Sequence, residues 1–185
     1  MTLSRLGIKV GPQKHSIDDL EETHAPFAEV WFQIDKKDDY NELFSYLTKR
    51  KIDAGLHFWG LTRDGFMPTI SYNDPALLQE SVDLIRQTID IAADNHFSYV
   101  NIHPGNRVRM RVDFQTHIFT PASDPAQTKI IEDQFLGTIH NLSVYSSSRN
   151  VVLTVETVPM NIVKPWDGNR SGKTYPRLGS VTPKN

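Results

Sequence analysis

The sequence predicts an α/β fold in which a parallel sheet grows by alternating strands and helices. Three observations lead there. Short β-rich runs alternate with helical patterns along most of the 185 residues. Several of those runs are almost continuously apolar, as expected of parallel strands covered on both faces. The links from helix back to strand are short, as in "LTKRKIDAG" and "SSSRNVV". Strand, helix, strand, repeated, requires right-handed crossovers and a parallel sheet.

The first strand is "LGIKV", ending in Gly11-Pro12. "SIDDLEETH" follows as a helix, with Ser16 as its expected N-cap and acidic residues in its first turn. "FAEVWFQI", residues 27–34, is the second strand. "DYNELFSYLTKRK" is the second helix, and its basic end suits a helix C-terminus. "IDAGLHFWG", residues 52–60, is the third strand. The third helix has Asp74 as cap and Pro75 at its first position, with a stripe of Leu78, Val82, Ile85, Ile89 and Ala92. "FSYVNIHPG", residues 97–105, is the fourth strand. The fourth helix repeats the device, with Ser123 or Asp124 as cap, Pro125 inside the start, and Ile131, Phe135, Ile139 and Leu142 as its stripe. "NVVLTVETVP", residues 150–159, is the fifth strand.

Two loops are long, residues 59–73 and 104–122, and both leave the C-terminal ends of strands. In parallel α/β proteins that is the face where sites are built. About five strands and four helices do not close an eight-stranded (β/α) barrel, which needs about 250 residues. The sequence is therefore read as an incomplete parallel (β/α) barrel of the TIM type over residues 1–160. Residues 161–185 are read as an irregular, truncated loop or tail, rich in Pro, Gly, Asn and Lys. An open partial barrel exposes sheet edges, which favours a homo-oligomer.

Apolar content of 38% and charged content of 23% fit a globular protein. With no cysteine, a disulfide framework, thiolate metal sites and a cysteine nucleophile are excluded. No apolar run reaches the roughly 18 residues of a spanning helix, and "MTLSRLGIKVGP" has no signal-peptide core. The expectation is a cytoplasmic protein with no membrane partner. A net charge of −2 does not select for DNA, which stays open only through a local basic segment.

Three ionisable residues end three successive strands: His57 in "AGLHFWG", His103 in "VNIHPG" and Glu156 in "VLTVETVP". An apolar run is an unusual place for such groups unless they are paired or bind metal. One histidine at a strand end is more often a hydrogen-bonded core or rim residue than a ligand. Two imidazoles and a carboxylate converging from neighbouring strand ends suit Zn²⁺, Mn²⁺ or Fe²⁺. Pro104 cannot extend the strand ladder, and Gly105 permits a sharp turn beside a ligand. "RVRMR", residues 107–111, reads as a short strand with a solvated basic face or as a contact for a substrate phosphate. Trp59 and Trp166 follow the candidate strands and could stack on a sugar or base, or pack in the core. His15, His24, His96, His117 and His140 read as exposed or structural.

"HPGN" after an apolar strand, a His ending the preceding strand and "VET" ending the next resemble the xylose isomerase-like TIM barrels. Within that superfamily they are most similar to the endonuclease IV branch, AP endonuclease family 2. The resemblance covers most of residues 5–160. It implies that His57, His103 and Glu156 are metal ligands, with Glu156 in the position that often bridges two metals and acts in catalysis. It implies a divalent cofactor (Zn, Mn or Mg) and a sugar or phosphate-containing substrate, with Trp59, Asn106 and Arg107 lining its site. The implied chemistry is either hydrolysis of a phosphodiester or the shift of a proton between neighbouring sugar carbons. Two departures stand out. The family's remaining ligands come from strands six to eight, which the sequence does not supply, and Thr157 stands where an amide is usual. The alternative is a truncated, non-catalytic barrel fragment or a small-ligand-binding α/β module.

Overall fold

The computed structural model describes residues 7–156 except Arg107, Phe114, His117, Asp124, Pro125 and Gln127. The seven strands are β1 (Ile8–Val10), β2 (Phe27–Gln33), β3 (Asp53–Trp59), β4 (Tyr99–Ile102), β5 (Met110–Asp113), β6 (Ile118–Pro121) and β7 (Val152–Val155). The helices are α1 (His15–Thr23), α2 (Asn41–Arg50), α3 (Pro75–Asp94) and α4 (Thr128–Ser148), and a 3₁₀ turn, Ile34–Tyr40, precedes α2. The five strands expected from sequence form one sheet in the order β1-β2-β3-β4-β7. Its β1-β2, β2-β3 and β3-β4 pairs are parallel. The expected parallel α/β architecture is therefore present. The chain divides into two compact units, one holding residues 7–60, 85–102 and 143–154, the other residues 61–84, 103–142 and 155–156 of the described chain.

The first unit is organised by the two-residue alternation of its strands. Ala28, Val30, Phe32, Ala54, Leu56, Val100 and Ile102 are fully buried on one set of positions. The alternate positions carry Glu29, Trp31, His57, Tyr99 and Asn101. Phe32, Tyr40, Phe44 and Phe97 form an aromatic cluster with ring centroids 5.0–5.7 Å apart. Tyr40 also donates its hydroxyl to the Trp31 carbonyl at 2.8 Å and accepts from the Gln33 N–H at 3.0 Å. That ties the 3₁₀ turn to the end of β2. α2 closes on Lys51 in the left-handed conformation, with Lys49 and Arg50 in its last turn, as its basic end led us to expect.

The second unit contains a hairpin where the sequence suggested a long loop with one short strand in it. β5 and β6 pair antiparallel, with Met110 opposite Pro121 and Asp113 opposite Ile118. Met110 and Val112 are buried, whereas Arg111 is exposed and lies 4.5 Å over the Phe66 ring. The "RVRMR" segment is thus in part a strand with an outward basic face. Arg109 pairs with Asp74, the residue whose carboxylate also accepts from the Ala76 and Leu77 N–H groups and caps α3.

Three local expectations are corrected. Ser16 does not cap α1: it is buried and its hydroxyl accepts from the Gly11 N–H at 3.1 Å, while Lys14 holds the cap position. Ser123 does not cap α4: its hydroxyl accepts from the Arg109 N–H, and the helix begins at Thr128. The buried stripe of α3 runs through Leu77, Ser81, Ile85, Thr88, Ile89 and Ala92, so at its start Leu77 and Ser81 take the places expected of Leu78 and Val82. The small hydroxyl residues fit because each can bond within its helix; Ser81 donates to the Leu77 carbonyl at 2.6 Å.

Gly55 shows how tightly the sheet is specified. It lies opposite Tyr99 across the β3-β4 pair, and a side-chain carbon there would collide with the Tyr99 ring. Gly55→Ala is expected to cost about 1–3 kcal/mol by overpacking. Gly137→Ala, in an open stretch of α4 where an added carbon meets nothing, is expected to stabilise by about 0.5–1 kcal/mol. Urea unfolding of both variants checks the opposite signs.

Candidate metal centre

The candidate ligands come from elements that the sequence places at strand ends. His57 is the fifth residue of β3, His103 directly follows β4, and Glu156 directly follows β7. β3, β4 and β7 are consecutive in the sheet. His57 belongs to the first unit and His103 and Glu156 to the second, and each offers one candidate ligand atom, an imidazole nitrogen or a carboxylate oxygen. No other group of three or more His, Asp or Glu residues suited to a metal occurs among the described residues.

His103 Nε2 is 3.7 Å from the Glu156 carboxylate. The chain turns directly after His103. Gly105 has φ of +94°, and a side chain on it would run into the hydroxyls of Thr69 and Ser71. Those hydroxyls hold the backbone of Asn106, whose N–H donates to Thr69 Oγ1 at 3.4 Å and whose carbonyl accepts from Ser71 Oγ at 3.4 Å. The glycine is therefore required twice, by its backbone angle and by close packing.

His57 is buried in a polar cluster that the sequence reading did not single out. Its Nδ1 is 3.1 Å from Glu29 Oε1 and 3.1 Å from Lys9 Nζ. Lys9 and Glu29 are themselves paired at 3.0 Å. Tyr99 donates its hydroxyl to the other Glu29 oxygen at 2.9 Å. The Tyr99 ring reaches Glu29 by crossing Gly55, which offers no side chain in the way. Burial alone would raise the Glu29 pKa, but hydrogen bonds from His57, Lys9 and Tyr99 outweigh it and hold the carboxyl below its usual range. Burial, and then the Glu29 carboxylate beside it, push the Tyr99 phenol well above its usual value. The signal for these residues was present in the sequence. Lys9 in "LGIKV" and Glu29 in "FAEVWFQI" are ionisable groups inside apolar strands, the same anomaly that marks His57.

Of the residues expected to line a substrate site, Trp59 ends β3 and stacks on Trp31, ring centroids 5.1 Å apart. Both rings also stack against His57, at 6.1 and 6.2 Å. Asn106 is buried, with its side-chain amide 3.8 Å from the Met67 sulfur. Arg107 and Trp166 lie outside the described residues, as do Thr157 and the segment 161–185. No helix among the described residues is long and apolar enough to cross a membrane.

The site has the donor chemistry of a borderline divalent cation: two imidazoles and one carboxylate. Such cations bond these atoms at about 2.0–2.2 Å.

No protein-family model and no curated protein sequence matches the chain. Solved structures do match it. A D-tagatose 3-epimerase-like protein superposes with TM-score 0.59 and 13% identity, over 84% of this chain and 54% of its own. An L-ribulose 3-epimerase gives TM-score 0.60 and 16% identity, over 84% and 50%. A D-allulose 3-epimerase from Methylomonas sp., solved in complex with D-allulose, gives TM-score 0.60 and 12% identity, over 86% and 56%. These neighbours are sugar epimerases and isomerases of the xylose isomerase-like TIM-barrel class. The chain has the parallel (β/α) fold of that barrel and spans about half the length of the structures it matches.

Replacing Gly105 tests the turn that follows His103. Gly105→Ala is expected to lose at least about 1–2 kcal/mol, because an L-residue is strained at that φ before the clash with Thr69 and Ser71 is counted. Thermal unfolding compared with Gly137→Ala measures it.

Proposed function

We propose that this chain is part of a divalent-metal-dependent sugar isomerase or epimerase-like protein. The observation that carries the reading is the placement of His57 late in β3, His103 directly after β4 and Glu156 directly after β7, three strands consecutive in the sheet. The C-terminal ends of parallel strands are where such barrels hold their chemistry. Neighbours named as sugar 3-epimerases support a small sugar as the substrate class.

In this reading His57 and His103 supply imidazole nitrogens and Glu156 a carboxylate oxygen to a Zn²⁺, Mn²⁺ or Mg²⁺ ion. The bound cation would supply Lewis-acid polarisation of substrate oxygens. Shifting a proton between neighbouring sugar carbons also needs a group that takes it. Glu156 is the carboxylate at the site, partly exposed at the strand ends and 3.7 Å from His103, and serves as the catalytic residue of this proposal. The Trp59 indole offers a flat apolar surface of the kind on which sugar C–H groups pack, and Asn106 stands in the loop after β4. The polypeptide that matches about half of each neighbour provides one wall of such a site.

A second reading rests on the two histidines and the His-Pro-Gly stretch, which resemble the endonuclease IV branch. There the same ligands would serve hydrolysis of a phosphodiester. A net charge of −2 gives that reading no electrostatic footprint for DNA.

Metal analysis of the purified protein tests the proposal. Wild type is expected to retain close to one Zn²⁺ or Mn²⁺ after dialysis, and His103→Ala and Glu156→Ala are expected to lose it. Equal metal content in the three proteins would remove the ligand assignment. Solvent-deuterium exchange into a panel of ketoses, read by proton NMR with metal present, separates epimerase from nuclease chemistry.

A further inference from the structure

We infer that Glu29 is a positioning residue for His57: it selects the ring tautomer that turns a lone pair on Nε2 toward a metal, and Tyr99 and Gly55 hold Glu29 in place to do so. The inference rests on the proposed metal centre and goes beyond it, to the hydrogen-bond shell behind one ligand.

A neutral imidazole carries one proton. On Nδ1, that proton points at Glu29 Oε1, 3.1 Å away, and Nε2 has the lone pair that ligation requires. On Nε2, that atom cannot ligate, and the Nδ1 lone pair accepts from the Lys9 ammonium, also 3.1 Å away. Nδ1 cannot donate to Glu29 and accept from Lys9 at once. The two neighbours therefore favour opposite tautomers.

Anchoring decides between them. Lys9 is a half-exposed side chain, 45% accessible, on a flexible four-carbon stem, and its other contacts here are the Glu29 carboxylate and the Trp31 face at 5.1 Å. Glu29 is 25% accessible, and its second oxygen is fixed by Tyr99 from across the sheet. The Tyr99 ring reaches that oxygen only because position 55 lacks a side chain. Lys9 can swing aside while Glu29 cannot. Both bonds are charge-assisted, one through an anionic acceptor and one through a cationic donor, so the difference lies in anchoring. A carboxylate behind a ligating histidine fixes ring orientation and raises ligand basicity, and losing it costs roughly 10–100-fold in metal affinity. Stacking of the His57 ring with Trp31 and Trp59 limits rotation out of this plane.

The test has two readouts, one independent of metal. Long-range ¹H–¹⁵N correlation spectra of histidine-labelled, metal-free protein report the His57 tautomer. Calorimetry with Co²⁺ reports affinity. Wild type is expected to show Nδ1–H. Glu29→Ala is expected to switch the ring to Nε2–H and weaken Co²⁺ roughly 10–100-fold. Glu29→Gln, whose amide oxygen still accepts, is expected to restore the tautomer and most of the affinity. Lys9→Met is expected to keep Nδ1–H with undiminished affinity, a result that a merely structural ion pair would not give. Tyr99→Phe, a milder change, is expected to move both readouts in the Glu29→Ala direction by less. It keeps the inference decidable if Glu29→Ala does not fold. An unchanged tautomer in Glu29→Ala, or in Tyr99→Phe where the former is unfolded, overturns the inference. So does a loss of Nδ1–H in Lys9→Met. If wild type takes up no Co²⁺, the metal reading fails, while the tautomer spectra still decide the role of Glu29.

Discussion

The Glu29 carboxylate meets three polar groups on three different strands, and the polar side of the sheet depends on that convergence. Lys9 comes from β1, His57 from β3 and Tyr99 from β4. An ionised carboxyl held this far from water is costly unless each lone pair finds a donor. Here the donors lower its pKa in spite of burial. The pairing register makes this work: Lys9, Glu29, Gly55 and Tyr99 sit opposite one another across four adjacent strands. A one-residue slip would turn every member of this row to the aliphatic face. The network therefore specifies the register as much as the apolar positions do.

The opposite face explains why the fold is so legible. Ala28, Val30, Phe32, Ala54, Leu56, Val100 and Ile102 alternate strictly with the polar row, and all are fully buried. Read along the chain, aliphatic positions on one face and aromatic ones on the other merge into near-continuous apolar runs. That is why the five strands and their parallel order could be seen without coordinates. Asp74 and Pro75 announced α3 for a local reason: a short carboxylate before a residue with no N–H is a helix start in almost any surroundings. Ser16 and Ser123 are also short polar residues of the capping type, but neither is followed directly by proline, and each binds a backbone N–H in a neighbouring segment instead. The β5-β6 hairpin was only half visible, since the alternation in "RVRMR" shows one strand and the partner contains Thr120 and Pro121, which read as loop.

For the site, His57, His103 and Glu156 were legible because ionisable residues interrupt apolar strands at their ends. Their strands are consecutive in the sheet, as the strand order read from the sequence requires. Lys9 and Glu29 showed the same anomaly but lie two residues earlier in the sheet register than His57, farther from the face where the barrel rule directs attention. Tyr99 could not be found from sequence at all. Its role depends on Gly55 lying directly opposite, a fact of register. Fold neighbours at 12–16% identity share the parallel (β/α) architecture, and the metal chemistry proposed for this chain rests on its own residues.

The central claim is that one divalent cation is held jointly by His57, His103 and Glu156. X-ray absorption at the cobalt edge of the Co²⁺-loaded protein tests it most directly. The account predicts a single ion whose inner shell holds two imidazole nitrogens and at least one carboxylate oxygen at about 2.0–2.2 Å. The His57→Ala variant should then show one imidazole or no bound ion. A shell built only of oxygens, or a spectrum unchanged by His57→Ala, would contradict it.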